Sequence, residues 1–165
     1  GGTAKLATAL GVSDHEAKYL KDLYFAKLPR VKILIDRIMA TALARGYIRN
    51  YYGRRLYYPD TNFVYKAPNH LIQGTCGDIM KIAMNKVHDY LHDFKSSIKL
   101  TVHDELILQT HKGELHLAEG VQKIMENIYL PQNGLNLTCG AEHSWKSWGR
   151  SDIQEGFPCL EADYA

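Results

Sequence analysis

Apolar positions Ala17, Leu20, Leu23, Tyr24 and Leu28 recur at helical spacing. Ser13 followed by Glu16 forms a capping box ahead of them, so a helix is predicted over residues 13–28. Pro29 has no backbone N–H and is expected to end or kink it. A second helix is predicted from about Val31 to Ala44, with Ile35, Ile38, Met39 and Leu43 on its apolar side and Gly46 closing it. The stretch 47–58 reads as a tyrosine-rich β-hairpin with its turn near Gly53, and residues 59–68, bounded by Pro59 and Pro68, read as a loop. One long helix is predicted from Asn69 to Phe94, with an apolar stripe of Ile72, Cys76, Ile79, Ala83, Val87, Tyr90, Leu91 and Phe94. Gly74 and Gly77 inside it cost roughly 1 kcal/mol each relative to Ala, which predicts that something large packs against the backbone there.

Two β-branched and aliphatic runs then meet at Val102-His103-Asp104-Glu105, predicting a hairpin over 98–110 with an acidic tip. An amphipathic helix from about Gly113 to Tyr129 and a strand at Leu135–Cys139 complete the regular pattern; residues 143–165 show little regularity. Helices and strands do not strictly alternate, so the fold class is α+β. The expected architecture is an antiparallel sheet, made by the 98–110 hairpin and the C-terminal strand, packed on long helices.

At 165 residues and 45% apolar content the chain can bury a core of its own. Lys and Arg exceed Asp and Glu by only 20 to 18, so any anion-binding surface must come from local clustering, and cationic residues do cluster in 45–55. Five of the 11 tyrosines (Tyr47, Tyr51, Tyr52, Tyr57, Tyr58) share that neighbourhood. Cys76, Cys139 and Cys159 form no CxxC pair, which argues against a disulfide framework or structural zinc and fits a reducing compartment. A secretory leader is not expected, and no apolar run in the sequence is long enough to span a bilayer, so no membrane partner is expected. The opening Gly1-Gly2-Thr3 leads us to expect a fragment, a processed product or a trimmed chain.

The tip His103-Asp104-Glu105 admits two readings. One is a solvated turn. The other is that Asp104 holds a divalent metal, since Mg²⁺ is commonly bound by one or two carboxylates together with substrate phosphates.

Three separated segments together resemble family A DNA polymerases. Gly46-Tyr47-Ile48 through Gly53-Arg54-Arg55-Leu56-Tyr57-Tyr58-Pro59 is similar to that family's GY…GRR.YLP segment. Asn69 through Ile79 resembles its N-x-x-x-Q-G-[ST]-x-A-D-[IL] helix, and Val102-His103-Asp104-Glu105 resembles its motif C. Trp145 resembles the tryptophan of a C-terminal NW pair. The resemblance implies helical fingers at 1–46, a palm portion at 47–148 and a C-terminal extension at 149–165. It implies a template-directed polymerase that adds deoxynucleotides to a primer 3′-hydroxyl with two Mg²⁺ ions, its partners being primer–template DNA and dNTP. Asp104 would be one of the two metal-holding aspartates, with Glu105 in support. Arg54 and Arg55 would lie near the template backbone, Asn69 and Gln73 against the minor groove, and His103 by the primer terminus. Gly74 would let DNA approach. A cytoplasmic location, in a bacterial or phage-infected cell, goes with this reading, and an organelle stays open.

The sequence also departs from the family. Nothing like D-Y-S-x-I-E-L-R, the strand bearing the other aspartate, occurs, and neither does the fingers helix that grips the incoming triphosphate. Tyr65 or Lys66 stands where an arginine is expected before Asn69. The chain is therefore expected to be inactive alone, completed by an N-terminal remainder in the same or a separate chain. Two alternatives stay open: a catalytically silent duplex-DNA-binding module, or a Mg²⁺-dependent phosphodiesterase using His103, Asp104 and Glu105, completed by Asp78 or His111.

Overall fold

The structure, a computed structural model, describes residues 2–128, 137–146, 148 and 154–156. It divides into two units, Gly1–Gln73 and Gly74–Ala165.

The first unit begins with three helices, α1 (Thr3–Leu10), α2 (Asp14–Lys27) and α3 (Pro29–Arg45). Helix α1 is not among the predicted elements, although its Leu6 and Leu10 lie one turn apart. The predicted cap forms at α2, where the Ser13 hydroxyl accepts the Glu16 N–H at 3.2 Å. Pro29 begins α3 as well as ending α2, because a first helical residue needs no N–H partner. Leu28 ahead of it leaves the helical region at φ −125°, ψ 61°, as a residue preceding proline tends to do. Gly46 takes the left-handed conformation (φ 72°) that lets its N–H close on the Ala42 carbonyl.

The hairpin follows as β1 (Tyr47–Arg49) and β2 (Arg55–Tyr57), antiparallel with Ile48 opposite Leu56. Because strand side chains alternate faces, Ile48 and Leu56 turn inward. They join Ile38 and Ala42 of α3, together with Tyr58, Val64 and Ala67, in a core. The loop expected at 59–68 is instead a 3₁₀ helix, Thr61–Lys66. Asp60 caps it by accepting the Asn62 N–H at 2.8 Å, and burial of Val64 fixes it to the core.

The long helix is α4 (Ala67–Leu91), two residues earlier at its start and three shorter at its end than the pattern predicts. Its expected stripe is buried only at Ala83, Val87 and Leu91; Ile72 is 59% exposed and Cys76 is exposed too. The reason is rotational. Leu71 packs on the first core, and each helical residue turns about 100° from the last, so Ile72 points away from it. A Cβ built at Gly77 meets nothing within 4 Å, so the close packing expected there is not supplied by the described residues.

The second unit sets β3 (Ser97–Val102) against β4 (Glu105–Gln109) and packs them with α5 (Leu117–Glu126). Val87 and Leu91 of α4 meet Leu117 and Val121 of α5, with Ile98, Leu106 and Leu108 packed against them. Tyr90 lies so close to Gly120 that no larger residue fits there without the ring moving. Helix α5 starts later than predicted because Lys112–Glu114 forms a separate 3₁₀ turn, and Glu114 is drawn back to residues 95 and 96. Tyr129 and residues 135–136 lie outside the described residues. Of the strand predicted at 135–139, the described part 137–139 is not strand. Side chains of α5 capture Cys139 instead: its N–H donates to Glu126 at 3.1 Å and its carbonyl accepts from Gln122. Pairing resumes between β5 (Glu142–His143) and β6 (Gln154–Glu155). Among the described residues no helix is long and apolar enough to cross a membrane.

Candidate functional site

Val102 pairs directly with Glu105, which leaves His103 and Asp104 as a two-residue turn. His103, Asp104 and Glu105 are all exposed. His103 has φ +53°, a left-handed backbone that no other non-glycine residue adopts among those described. Such conformations cost on the order of 1–3 kcal/mol and persist where the surroundings over-determine them.

Two features shape the hairpin that carries the tip. The register shifts between Ile98 and Leu100, inserting Lys99 as an extra residue. This bulge lets Ile98 face the core with Leu106 and Leu108, while Leu100 pairs with Ile107 on the other face and is exposed. Glu105 alternates with Leu106 and so turns away from the core, toward the open side. At the base, the Glu114 carboxylate accepts the N–H groups of Lys95 (3.1 Å) and Ser96 (2.8 Å) and the Ser96 hydroxyl (2.7 Å). The buried Ser96 hydroxyl in turn accepts the His111 N–H at 3.0 Å. The hydrogen bond from the Ser96 hydroxyl, then that from Lys95, holds the Glu114 carboxyl below its ordinary pKa of 4.5.

Asn69 and Gln73 are exposed and one turn apart on α4, hence on one face. Between them His70 turns inward. Its Nδ1 lies 3.1 Å from the Tyr58 hydroxyl, and the two rings stack at 5.8 Å and 17°. Burial pushes the Tyr58 hydroxyl up from its ordinary pKa.

Arg54 and Arg55 sit exposed on the 47–58 hairpin. Buried Asn50 shapes the turn by accepting the Arg54 N–H on its side-chain oxygen at 2.9 Å. The Arg55 guanidinium lies 4.9 Å from the Tyr47 ring centre, and a hydrogen bond to Tyr57 raises its pKa further.

The structure thus brings together His103, Asp104 and Glu105 in the second unit. It pairs Asn69 with Gln73, and Arg54 with Arg55, in the first. Sequence reasoning missed Tyr58–His70, Asn50 and Ser96–Glu114. A histidine twelve positions from a tyrosine carries no periodic signal, whereas an Asn three residues before Gly53 is a turn signature that could have been read.

Asp104 fits one ligand position for a hard cation such as Mg²⁺, being an exposed carboxylate on a turn. Among the described residues no group of three or more His, Cys, Asp or Glu is placed to hold a metal by itself. His111, one candidate to complete a phosphodiesterase site, is instead the cap of the Lys112–Glu114 turn, accepting the Gly113 N–H on Nδ1 at 3.3 Å.

Comparison with known proteins identifies the family. DNA polymerase family A matches residues 1–150. The thermostable DNA polymerase I of Thermus filiformis is 32% identical over 151 residues, covering 86% of this chain and 18% of that protein. DNA polymerase I of Pseudomonas aeruginosa is 32% identical over 152 residues, covering 85% of this chain and 17% of that one. Among solved structures, the POL domain of Pol1 from M. smegmatis in complex with DNA primer–template and dNTP superposes with a TM-score of 0.69. It is 33% identical and covers 78% of this chain and 25% of that one. The chain spans less than a fifth of the length of these curated relatives. On a match that takes in both hairpins and the long helix between them, the chain belongs to DNA polymerase family A.

Proposed function

We infer that this chain supplies the later part of a template-directed DNA polymerase, extending a primer 3′-hydroxyl with deoxynucleotides. The observation that carries this reading is the tip of the β3–β4 hairpin. It presents one exposed aspartate on the two-residue turn of a bulged hairpin whose base Glu114 clasps, in a chain matched to the polymerase family over residues 1–150. Asp104 would hold Mg²⁺, whose charge would favour ionisation of the primer hydroxyl and stabilise the departing pyrophosphate. Two such ions need more than one carboxylate, and Glu105 turns to the open side of the strand as support. The other aspartate, and the groups that grip the triphosphate, would come from an N-terminal remainder, in the same chain or a partner.

Asn69 and Gln73 would meet the duplex in its minor groove, where acceptors occur on every base pair, so they test pair geometry without reading sequence. The open surface over Gly77 is consistent with DNA lying against this part of α4. His103 would lie beside the primer terminus, and Arg54 and Arg55 would hold template phosphates. The cargo named for the M. smegmatis relative, primer–template DNA and dNTP, is what this reading assigns here.

The test is primer extension with Mg²⁺ by the chain joined to, or mixed with, the upstream polymerase segment of a relative. Extension should need both parts, and Gln73→Ala should mainly change extension from mispaired termini. Robust polymerisation by residues 1–165 alone, or a Gln73→Ala enzyme with unaltered mispair extension, contradicts the assignment.

A further inference from the structure

The core of the first unit contains a directional contact among apolar ones. Its buried members Ile38, Ala42, Ile48, Val64 and Ala67 are aliphatic, and Tyr58, 5% exposed, brings a hydroxyl into their midst. Tyr58 is fixed on its own side: its N–H donates to the Gly46 carbonyl at 2.8 Å, and Pro59 follows it. Its hydroxyl shares a hydrogen bond of 3.1 Å with Nδ1 of His70, and the two rings lie 5.8 Å apart at 17°. A phenol can donate or accept, so this bond forms with either tautomer of the imidazole. The family pattern GRR.YLP has leucine at the place of Tyr58, and the pattern of the α4 segment leaves the place of His70 open. Neither pattern calls for the pair.

What the pair fixes is the roll of α4 at its start. Successive helical residues turn by about 100°, so Asn69, His70 and Leu71 point in three directions. Leu71 packs on the core, while Asn69 shares the exposed face of Gln73. Apolar burial is non-directional, and Leu71 alone would let the helix turn a little about its axis. A hydrogen bond needs donor, hydrogen and acceptor close to a line, and the stacked rings add a second constraint. Residue 70 therefore sets the angle at which residues 69 and 73 are presented.

We propose that Tyr58 and His70 are positioning residues for the polymerase reaction, their bond setting the roll of α4 and with it the fit of Asn69 and Gln73 to the minor groove. Neither of the pair touches DNA. Only the identity of what Asn69 and Gln73 meet depends on the polymerase reading; their orientation by this pair belongs to the chain itself.

Two measurements test this. In the 165-residue chain, the side-chain amide NMR signals of Asn69 and Gln73 should shift in Tyr58→Phe, which keeps the ring and loses the hydroxyl. In the reconstituted enzyme, Tyr58→Phe should change the ratio of mispaired to paired primer extension in the same direction as Gln73→Ala. The change should be roughly 2- to 10-fold, the range of one net hydrogen bond. His70→Ala should act likewise, and His70→Asn, whose side-chain amide can still bond Tyr58, should restore the ratio. With Asn69→Ala and Gln73→Ala already present, Tyr58→Phe should change the ratio no further, because it acts through them. Unmoved amide signals, or a full Tyr58→Phe effect on the ratio in the doubly substituted enzyme, would overturn the proposal. So would an unchanged ratio in Tyr58→Phe where Gln73→Ala alters it. A ratio that Gln73→Ala leaves unaltered would count against the polymerase reading, and the amide signals would then decide whether the pair orients these side chains.

Discussion

Replacing His103 separates what the turn's backbone requires from what its side chain does. At φ +53° a Cβ crowds the neighbouring backbone, and a non-glycine residue held there costs on the order of 1–3 kcal/mol. His103→Gly removes that strain but adds about 0.5–1 kcal/mol of chain entropy lost on folding. His103→Ala keeps the strain and loses the imidazole. The Gly variant should therefore be more stable than the Ala variant by about 1 kcal/mol, reversing the usual order, in which Ala wins by roughly 0.4–1 kcal/mol. For a chain of this size that is a gap of roughly 2–4 °C in Tm. Thermal unfolding followed by circular dichroism, with urea midpoints as a second measure, reads it directly. In the reconstituted polymerase both variants lack the imidazole, so primer extension should fall by similar factors while stability splits. An Ala variant as stable as the Gly variant would refute the idea that the left-handed turn governs this position.

Gly77→Ala should stabilise the chain by roughly 0.5–1 kcal/mol, since the added methyl meets open space and Ala is the better helix former; if DNA lies against this surface, duplex affinity should fall as the urea midpoint rises. The Glu114 clasp should make stability acid-sensitive. Its folded pKa is lowered, so its contribution is present above its ordinary value of 4.5 and is lost as the pH falls through the lower folded value. The stability gap between parent and Glu114→Gln should accordingly shrink below pH 4.5, and a gap independent of pH would contradict this. Arg54→Ala with Arg55→Ala should weaken duplex binding about equally for all sequences and reduce the salt slope by about 0.9 for each phosphate that is no longer neutralised, measured by titration across ionic strength.

Legibility followed locality. The Ser13 cap, the Gly46 stop and the two hairpins were readable because each depends on residues a few positions apart. The acidic tip was readable for the same reason, since two aliphatic runs frame it and leave only a two-residue turn. What could not be read depends on distant partners. Glu114 reaches back 18 residues to Ser96, a pairing no periodicity encodes, and it shortens the helix predicted from Gly113. The Lys99 bulge swaps the faces of the strand beyond it, which a strictly alternating pattern does not anticipate. Residues 137–139 looked like a strand by composition, but Gln122 and Glu126 took the backbone groups of Cys139 that a sheet would have used. Ile72 and Cys76 fit a helical stripe but stand exposed, because a long helix need not be covered along its whole length.

The central claim, that Asp104 is a metal-holding carboxylate of a polymerase, is tested most directly by Asp104→Asn in the reconstituted enzyme. The substitution keeps shape and removes charge from an exposed turn residue, so folding should be unchanged. Electrostatic stabilisation of developing charge is usually the largest single contribution to catalysis of this kind. Single-turnover primer extension at saturating Mg²⁺ and dNTP should fall by several orders of magnitude, while Glu105→Gln costs far less and duplex affinity is retained. An Asp104→Asn enzyme that extends primers at a near-normal rate would contradict the account.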